Sequence, residues 1–286
     1  MKIPKRLQPL LEDGLIDEII CQLKSGKEAQ VYMVRKGEII LCAKVYKEAN
    51  KRSFKQAVQY QEGRTVRNSR RARAMEKRTS YGQKESEEAW LSAEVDALYR
   101  LAAAGVRVPQ PHSFVDGVLL MELITDGDGH AAPRLSEVSF SAEQALEYHD
   151  RLITEIVRML CAGLVHGDLS EFNVLIDPGG PVVIDLPQAV NAAGNNSARM
   201  MLTRDVNNMS NYFGNYAPEL LSTSYANEIW DHYESGTLTP EIKLTGYFAE
   251  STIAADIDDV MKVIDDAREE ELDRRRREQE AREGIE

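Results

Sequence analysis

The chain has 286 residues, with 47 acidic against 35 basic side chains and a formal net charge of −12. This balance excludes a protein that wraps nucleic acid over its whole surface, although it leaves room for a local basic patch. The length suits one large core or two modest ones, and two lobes are the first expectation.

The three cysteines, Cys21, Cys42 and Cys161, lie singly in apolar surroundings, without CxxC pairing or histidines at zinc spacing. We therefore expect reduced core thiols and neither zinc nor disulfides. The N-terminus does not resemble a secretory signal, and no apolar run approaches the roughly 18 residues that span a bilayer. The pattern favours a soluble, cytoplasmic protein without a membrane partner.

The first predicted elements are three strands of an antiparallel meander, with the sequences IICQL, QVYMV and IILCAKVY. Short glycine-bearing links, KSGKEA and RKGE, separate them and suit hairpins. The composition then changes between Lys47 and Lys84, where 12 Lys or Arg stand against 3 Glu. Apolar residues are sparse there, and we expect a flexible or partly helical basic insertion over 47–84.

A helix is predicted next, with Ser86 as its N-cap and Gly105 as its C-terminal stop. Trp90, Ala97, Leu98 and Leu101 fall on one stripe of this helix, and Glu94 lies on the same stripe. A carboxylate on a buried face is costly unless it is paired, so Glu94 requires a cation elsewhere in the fold.

The segment SFVDGVLLMELI predicts two more strands around Asp116 and Gly117, which complete a five-stranded sheet, and TDGDGHAAP suggests the passage to a second lobe. That lobe opens with a capping box, Ser141 and Gln144, on a helix that keeps its apolar phase up to Gly163. After it come the segment HGDLSEFN, the hairpin pattern VLIDPGGPVVID, helices around 206–213, 218–221 and 253–264, and a highly charged tail.

The hairpin pattern predicts a metal site. A five-residue loop from Asp177 to Pro181, centred on Gly179, would place Asn173 opposite Asp185. An amide oxygen and a carboxylate oxygen side by side are suitable ligands for a hydrated Mg²⁺ that also binds phosphates, although Asp and Asn beside a strand are commonly turn formers.

Two neighbouring features favour the metal interpretation. Asp168, five positions before Asn173, is placed to accept the proton of an attacking hydroxyl. Lys44, in the apolar strand ILCAKVY, is the natural partner of Glu94, and a Lys held by a Glu is a device for binding α and β phosphates. In isolation, Lys44 is equally well explained as a lysine at the edge of the sheet.

The order of these parts is that of the bilobal protein kinases: a glycine-bearing hairpin, a strand Lys, a helix Glu, a connecting strand, a catalytic Asp, an Asn and a metal Asp. The hairpin tip KSGKEA is not a Walker A motif. The predicted fold is therefore α+β and protein-kinase-like, with an N-terminal five-stranded antiparallel sheet plus helix and a mainly helical C-terminal lobe with a catalytic hairpin. The expected boundaries are 1–124 for the N-terminal lobe, 125–264 for the C-terminal lobe and 265–286 for the charged tail.

The motifs SGKEAQVY, AKVY, MELI, LVHGDLSEFNVLID, VVIDLPQAV and RDVNNMSNYF together resemble the RIO family of atypical serine/threonine protein kinases, over roughly residues 20 to 215. The resemblance is to the bacterial type, which lacks an N-terminal winged helix. It implies an ATP-binding, Mg²⁺-dependent kinase, with Mn²⁺ as a substitute, that phosphorylates Ser or Thr, including its own.

The resemblance also implies a role for each matching residue. Ser25 and Lys27 lie near the phosphates, Lys44 binds the α and β phosphates, and Glu94 pairs with Lys44. A hinge from Met121 through Glu122 to Ile124 holds adenine. Asp168 is the catalytic base, Asn173 and Asp185 hold Mg²⁺, and Asp185 also serves as a nucleophile that forms an aspartyl-phosphate. Autophosphorylation is implied in the basic insertion, at Ser53, Ser69, Thr79 or Ser80.

The sequence departs from ordinary kinases in several places. Leu186 and Pro187 follow the metal Asp instead of Phe and Gly, and residues 217–219 spell APE by coincidence, with Pro218 expected at the first turn of a helix. Two other functions compete. One is a small-molecule phosphotransferase of the aminoglycoside or choline type. The other is an ATPase switch in ribosome or RNP assembly, whose basic insertion over 47–84 would contact RNA.

Overall fold

The computed structural model describes residues 4–26, 28–47 and 80–249. The described residues as far as Phe248 belong to one compact unit. Several predicted features lie outside the described residues: Lys27, most of the basic insertion, the helix over 253–264 and the charged tail. The predicted boundaries between the lobes and the tail stay predictions. In the part of the chain that the structure describes, no helix is long and apolar enough to cross a membrane.

The predicted five-stranded antiparallel sheet is confirmed. Its strands are β1 (Glu18–Ser25), β2 (Ala29–Lys36), β3 (Ile39–Tyr46), β4 (Pro111–Val115) and β5 (Val118–Glu122), in the order β1-β2-β3-β5-β4. Asp116 and Gly117 join β4 to β5, and both have positive φ, 49° and 75°. Positive φ at both central residues of a two-residue hairpin is typical of the turn that matches the twist of a sheet.

Side chains of β3 alternate between the two faces of the sheet, and each face has its own cover. Ala43 and Val45 pack against the N-terminal segment that contains the short helix α1 (Gln8–Glu12), in a cluster with Leu7 and Leu10. Tyr46, Leu119 and residues of the long helix α2 (Ser80–Ala103) pack in a second cluster. Because Lys44 lies between Ala43 and Val45, the alternation places it on the side of α2.

Helix α2 ends where the sequence predicts and begins earlier. Gly105 has φ +75°, and the N–H groups of Gly105 and Val106 donate to the carbonyls of Ala102 and Leu101, each at 3.1 Å. This pair of bonds is the Schellman arrangement. The prediction of Ser86 as N-cap is wrong, because the helix already begins at Ser80. A serine caps a helix only where the chain before it leaves helical geometry, and the single Gly82 costs too little to end the helix there.

The C-terminal part is mainly helical, as predicted. Its helices are α3 (Ala142–Cys161), α4 (Ala198–Gly214) and α5 (Tyr225–Glu234). The capping box on α3 is confirmed, since Ser141 Oγ accepts from Gln144 N at 3.2 Å and Gln144 Oε1 accepts from Ser141 N at 3.1 Å. Pro218 opens a short 3-10 helix (Pro218–Ser222), as expected from its sequence context.

Between α3 and α4 lie four short strands: β6 (Leu164–Val165), β7 (Val174–Asp177), β8 (Gly180–Val183) and β9 (Val190–Asn191). Strands β7 and β8 form the predicted hairpin, but its predicted register is wrong by one residue. Asp177 pairs with Gly180, so the loop has only two residues, and Asn173 O accepts from Ile184 N at 2.9 Å. Asp177 Oδ1 accepts from Gly179 N at 2.8 Å and stabilises the tighter turn.

Candidate active site

Three charged side chains from distant parts of the sequence meet beside the sheet. Lys44 Nζ on β3 lies 2.5 Å from Glu94 Oε1 on α2 and 2.8 Å from Asp185 Oδ1, which follows β8. The ion pair predicted between Lys44 and Glu94 is therefore confirmed. The Glu94 side chain is only 4% exposed, whereas that of Asp185 is 48% exposed. The Lys44 ammonium thus joins the buried carboxylate of Glu94 to the carboxylate of Asp185, which faces solvent.

The electrostatics of this cluster keep Lys44 and Asp185 charged. Burial by itself would lower the pKa of Lys44, but Asp185 and Glu94 together hold it well above its ordinary value. Conversely, the Lys44 ammonium lowers the pKa of Asp185 against the opposing effect of burial. Asp185 is therefore a carboxylate at neutral pH, which is the form that binds a cation.

Replacing Lys44 with Met should destabilise the protein. The substitution leaves the carboxylate of Glu94 buried without its cation, and breaking one side of such a pair costs roughly 3 kcal/mol. We expect the double variant Lys44→Met with Glu94→Gln to recover part of this loss, because it removes the uncompensated charge. Urea denaturation of the wild type, Lys44→Met, Glu94→Gln and the double variant measures the coupling free energy between Lys44 and Glu94. Equal stability of K44M and wild type would contradict the buried-pair description.

The loop HGDLSEFN presents Asp168 and Asn173. The chain turns at Gly167, which has φ +79°, and Asp168 is exposed. His166 Nδ1 accepts from Asp168 N at 3.3 Å, so its Nε2 carries the proton and donates to Ile184 O at 3.1 Å. His166 thereby connects the loop HGDLSEFN to the residue next to Asp185. Partial burial of its carboxyl raises the pKa of Asp168, and the negative charge of Asp185 adds to this effect against the opposing charge of Arg204.

Asp205 on α4 holds this loop through its backbone N–H groups, a role that no motif in the sequence predicted. Its carboxylate is 1% exposed and accepts from Gly167 N at 2.7 Å and from Leu169 N at 2.9 Å. Asn208, one helical turn further on, donates to Leu169 O at 2.9 Å. Burial raises the pKa of Asp205 to about 6. The only sequence signal was the spacing of Asp and Asn in RDVNN, which places both on one face of a helix.

Replacing Asp205 with Asn should loosen the loop HGDLSEFN, because an amide offers one acceptor oxygen to two N–H donors. Hydrogen exchange at Gly167 and Leu169 should accelerate.

The raised pKa of Asp205 also predicts a pH dependence of stability. Stability from this group is fully present below the ordinary pKa of Asp and is lost as the pH rises through about 6. The wild type should therefore exceed D205N in free energy of unfolding by more at pH 5 than at pH 7.5. If this difference grew with pH, the raised pKa of Asp205 would be contradicted.

The residues Ser170, Glu171 and Phe172 anchor the loop to a neighbouring segment. Glu171 O accepts from Ser136 N at 3.1 Å, and Ser170 O accepts from Asn173 N at 2.9 Å. The side chain of Phe172 is 52% exposed. These three residues therefore give the loop a further attachment, in addition to those through His166, Asp205 and Asn208, and lead the chain into β7.

The donor atoms near the end of the hairpin fit a hard divalent cation. Asn173 Nδ2 donates to Asp168 O at 2.9 Å, so the atom that the amide offers to a cation is its oxygen. Asp185 lies two residues beyond the end of β8 and has φ +69°, a left-handed conformation that is uncommon for a non-glycine residue. A carboxylate and an amide oxygen are ligands that Mg²⁺ accepts. The corrected register therefore still brings Asn173 and Asp185 to the same end of the hairpin.

Of the nucleotide contacts predicted outside this cluster, the structure places Met121 beside it. Met121 and Asp185 line one cavity, together with Lys44, Glu94, Leu98, Pro109, Leu119, Ile184 and Leu186. Ile124 is 4% exposed, and its carbonyl accepts from Ala132 N at 2.9 Å. Glu122 Oε2 accepts from Gln110 N at 3.1 Å, so its side chain is bound within the protein. Ser25 ends β1 and is exposed, and Lys27 lies outside the described residues.

The five-stranded sheet carries the Lys44–Glu94 pair, and the helical part presents Asp168, Asn173 and Asp185. Together they define a protein-kinase-like α+β fold. Residues 30–226 match the family model described as the RIO domain. The chain belongs to the RIO family.

Named relatives support this membership. The RIO-type serine/threonine-protein kinase Rio1 of Haloferax volcanii is 36% identical over 206 residues, which are 71% of this chain and 66% of that relative. The protein of the same name from Methanocaldococcus jannaschii is 31% identical over 206 residues, again 71% and 66%. The serine/threonine-protein kinase RIO1 of Caenorhabditis elegans is 30% identical over 221 residues, 74% of this chain and 40% of that relative. The chain thus spans less than two thirds of the length of these relatives.

Proposed function

We propose that the protein is a RIO-type kinase that transfers the γ-phosphoryl group of ATP to Ser or Thr, including residues of its own chain. The observation that carries the proposal is the position of Lys44 Nζ between Glu94 and Asp185, at 2.5 and 2.8 Å. A strand Lys held by a helix Glu is the phosphate-binding device of protein kinases. The names of the relatives as serine/threonine-protein kinases support the same conclusion.

The side chains of the site have distinct roles in this proposal. Lys44 binds the α and β phosphates. Asp168 accepts the proton of the attacking hydroxyl, and its raised pKa makes it a stronger base than an ordinary Asp. Asn173 and Asp185 would hold Mg²⁺, or Mn²⁺ in its place, and the cation supplies positive charge that neutralises the phosphates. Oxygen donors suit both ions.

Nucleotide recognition is assigned to the strand β5 and the chain beyond it. We propose that backbone groups from Met121 through Glu122 to Ile124 hold adenine, since Met121 lines the cavity that contains Lys44 and Asp185. Ser25 and Lys27 would lie near the phosphates at the tip of the β1–β2 hairpin. Beside this tip, Gly26 N donates to Ala29 O at 2.9 Å.

Three finer features belong to the same proposal. Asp185 would also serve as a nucleophile, its carboxylate oxygen attacking the γ-phosphorus as ADP leaves and an aspartyl-phosphate forms. The basic insertion over 47–84 would contact RNA or ribosomal phosphates. The site of action would be the cytoplasm, because the cysteines at 21, 42 and 161 are unpaired thiols.

A labelling experiment tests the proposal. The protein is incubated with γ-labelled ATP and Mg²⁺, with and without a generic protein acceptor and an aminoglycoside. We expect label on Ser or Thr of the protein acceptor and of the enzyme. Labelled aminoglycoside would contradict the protein-kinase assignment. Free phosphate together with only a hydroxylamine-labile label on the enzyme would favour the ATPase switch.

A further inference from the structure

Arg107 lies in the short connection between α2 and β4, where its neighbours leave it little freedom to move. Val106 and Val108, on either side, are 2% and 0% exposed. Two buried side chains that flank a single residue fix the path of its backbone. The side chain of Arg107 itself is 39% exposed. This residue therefore stands on a rigid support at the boundary between the sheet and the helical part.

The backbone of Arg107 is bonded to two elements of the helical part. Its N–H donates to Glu155 Oε2 on α3 at 2.7 Å. Its carbonyl accepts from Val183 N at 2.9 Å. Val183 is the last residue of β8 and stands two positions before Asp185. The backbone of Arg107 thus holds the end of the strand from which Asp185 emerges.

The guanidinium of Arg107 extends the connection in two further directions. It donates to the carboxylate of Asp177, at the end of β7, and its Nη1 lies 3.9 Å from Glu122 Oε1 at the end of β5. Arg107 therefore contacts both strands of the hairpin that carries Asn173 and Asp185. The same side chain lies beside Glu122, a residue of the segment proposed to hold adenine.

We propose that Arg107 is a positioning residue, which sets the distance between the adenine-binding segment and the metal-binding hairpin. The inference rests on the proposed function. A nucleotide held at its base by one element and at its phosphates by another binds well only when the two elements are correctly spaced. A planar guanidinium suits this task because its several N–H groups point at two carboxylates at once.

The test compares two ligands that differ in how much of the site they use. Arg107→Met removes the charge and keeps much of the side-chain length. We expect its dissociation constant for Mg·ATP, measured by calorimetry, to rise roughly three- to tenfold, within the usual range for residues that couple two sites. Its affinity for adenosine should stay within about twofold of wild type, because adenosine contacts only the adenine-binding segment. Arg107→Lys should recover part of the Mg·ATP affinity, since an ammonium can bind Asp177 alone.

Arg158→Met is the matched control. Arg158 is 37% exposed and forms an ion pair with Glu155 at 2.8 Å. The variant therefore loses a positive charge of similar exposure beside Glu155, the residue of α3 that also binds the backbone of Arg107. We expect its Mg·ATP affinity to match wild type. If Arg107→Met does not fold, Asp177→Asn breaks the same contact from the hairpin side and keeps an oxygen for Gly179 N, and it should show the same selective loss.

Three outcomes would overturn the inference. If Arg107→Met binds Mg·ATP as tightly as the wild type, the positioning role alone is contradicted. The same holds for Asp177→Asn where the first variant does not fold. An equal loss of adenosine and Mg·ATP affinity would show general damage and contradict it as well. Wild-type protein that binds no Mg·ATP would contradict the proposed function, and the positioning role with it.

Discussion

Asp185→Asn is expected to abolish the Mg²⁺-dependent part of ATP binding and, with it, phosphoryl transfer. The substitution removes the negative charge that Lys44 stabilises and that would bind the cation. Loss of a residue that only supports a metal ligand typically costs 10- to 100-fold in metal affinity, so loss of the ligand itself should cost about 100-fold or more. Calorimetric titration with ATP, with and without Mg²⁺, measures this effect directly.

The chain contains a matched control for this variant. Asp116, in the β4–β5 turn, has φ +49°, so Asp116→Asn makes the same chemical change at another left-handed position. Asn tolerates this conformation well, and neither variant should strain the backbone. We expect D116N to bind Mg·ATP as the wild type does. If D185N retained the full Mg²⁺ dependence of the wild type, Asp185 would not be a metal ligand.

Asp168→Asn should separate binding from transfer. Asp168 is exposed in the loop HGDLSEFN, and its backbone carbonyl, which accepts from Asn173 Nδ2, is unaffected by a side-chain change. ATP affinity should therefore stay near that of the wild type. Transfer should fall by roughly 10²- to 10⁴-fold, the usual contribution of a general base. Single-turnover transfer of labelled phosphate measures the rate, and calorimetry measures the affinity.

The pH profile provides a second measure for Asp168. Burial raises the pKa of this carboxyl, and Asp185 adds to that effect. Because the base must be unprotonated, the acid limb of kcat/KM should lie above the ordinary pKa of Asp. The control is Asp231→Asn, an exposed position on α5, which should not change the rate. Transfer by D168N at the wild-type rate would show that another group accepts the proton.

Local sequence patterns were sufficient for much of this fold. The strands β1 to β5 alternate or run apolar between short turns, and the DG pair at Asp116 predicts a turn that the positive φ values confirm. The pairing of Lys44 with Glu94 followed from one physical requirement, since a carboxylate on an apolar helix stripe requires a cation. The strands and the turn depend on local patterns, and the need of Glu94 for a cation follows from its own helix stripe, so one sequence displays both directly.

Other features depended on choices that the sequence left open. The run DPGGP allows a turn of two or five residues, and the bond from Gly179 N to Asp177 Oδ1 favours the shorter one. Ser86 looked like a cap only because the helical residues before it have weak periodicity.

Long-range contacts were the hardest to predict. Asp205 contacts Gly167 across 38 positions, and Arg107 contacts Asp177 across 70. Neither contact has a spacing rule in the sequence, because both depend on how the elements pack. The candidate site was therefore predictable as a set of charged residues, whereas the residues that position them were not.

The central claim is that the site around Lys44, Asp168 and Asp185 transfers phosphate from ATP to a hydroxyl. The most direct measurement is a single-turnover reaction with γ-labelled ATP and Mg²⁺, followed by phosphoamino-acid analysis with and without hydroxylamine. With the wild type, we expect phosphoserine or phosphothreonine that is stable to hydroxylamine. With D168N, we expect neither phosphoamino acid. Label that never reaches a Ser or Thr with the wild-type protein would contradict it.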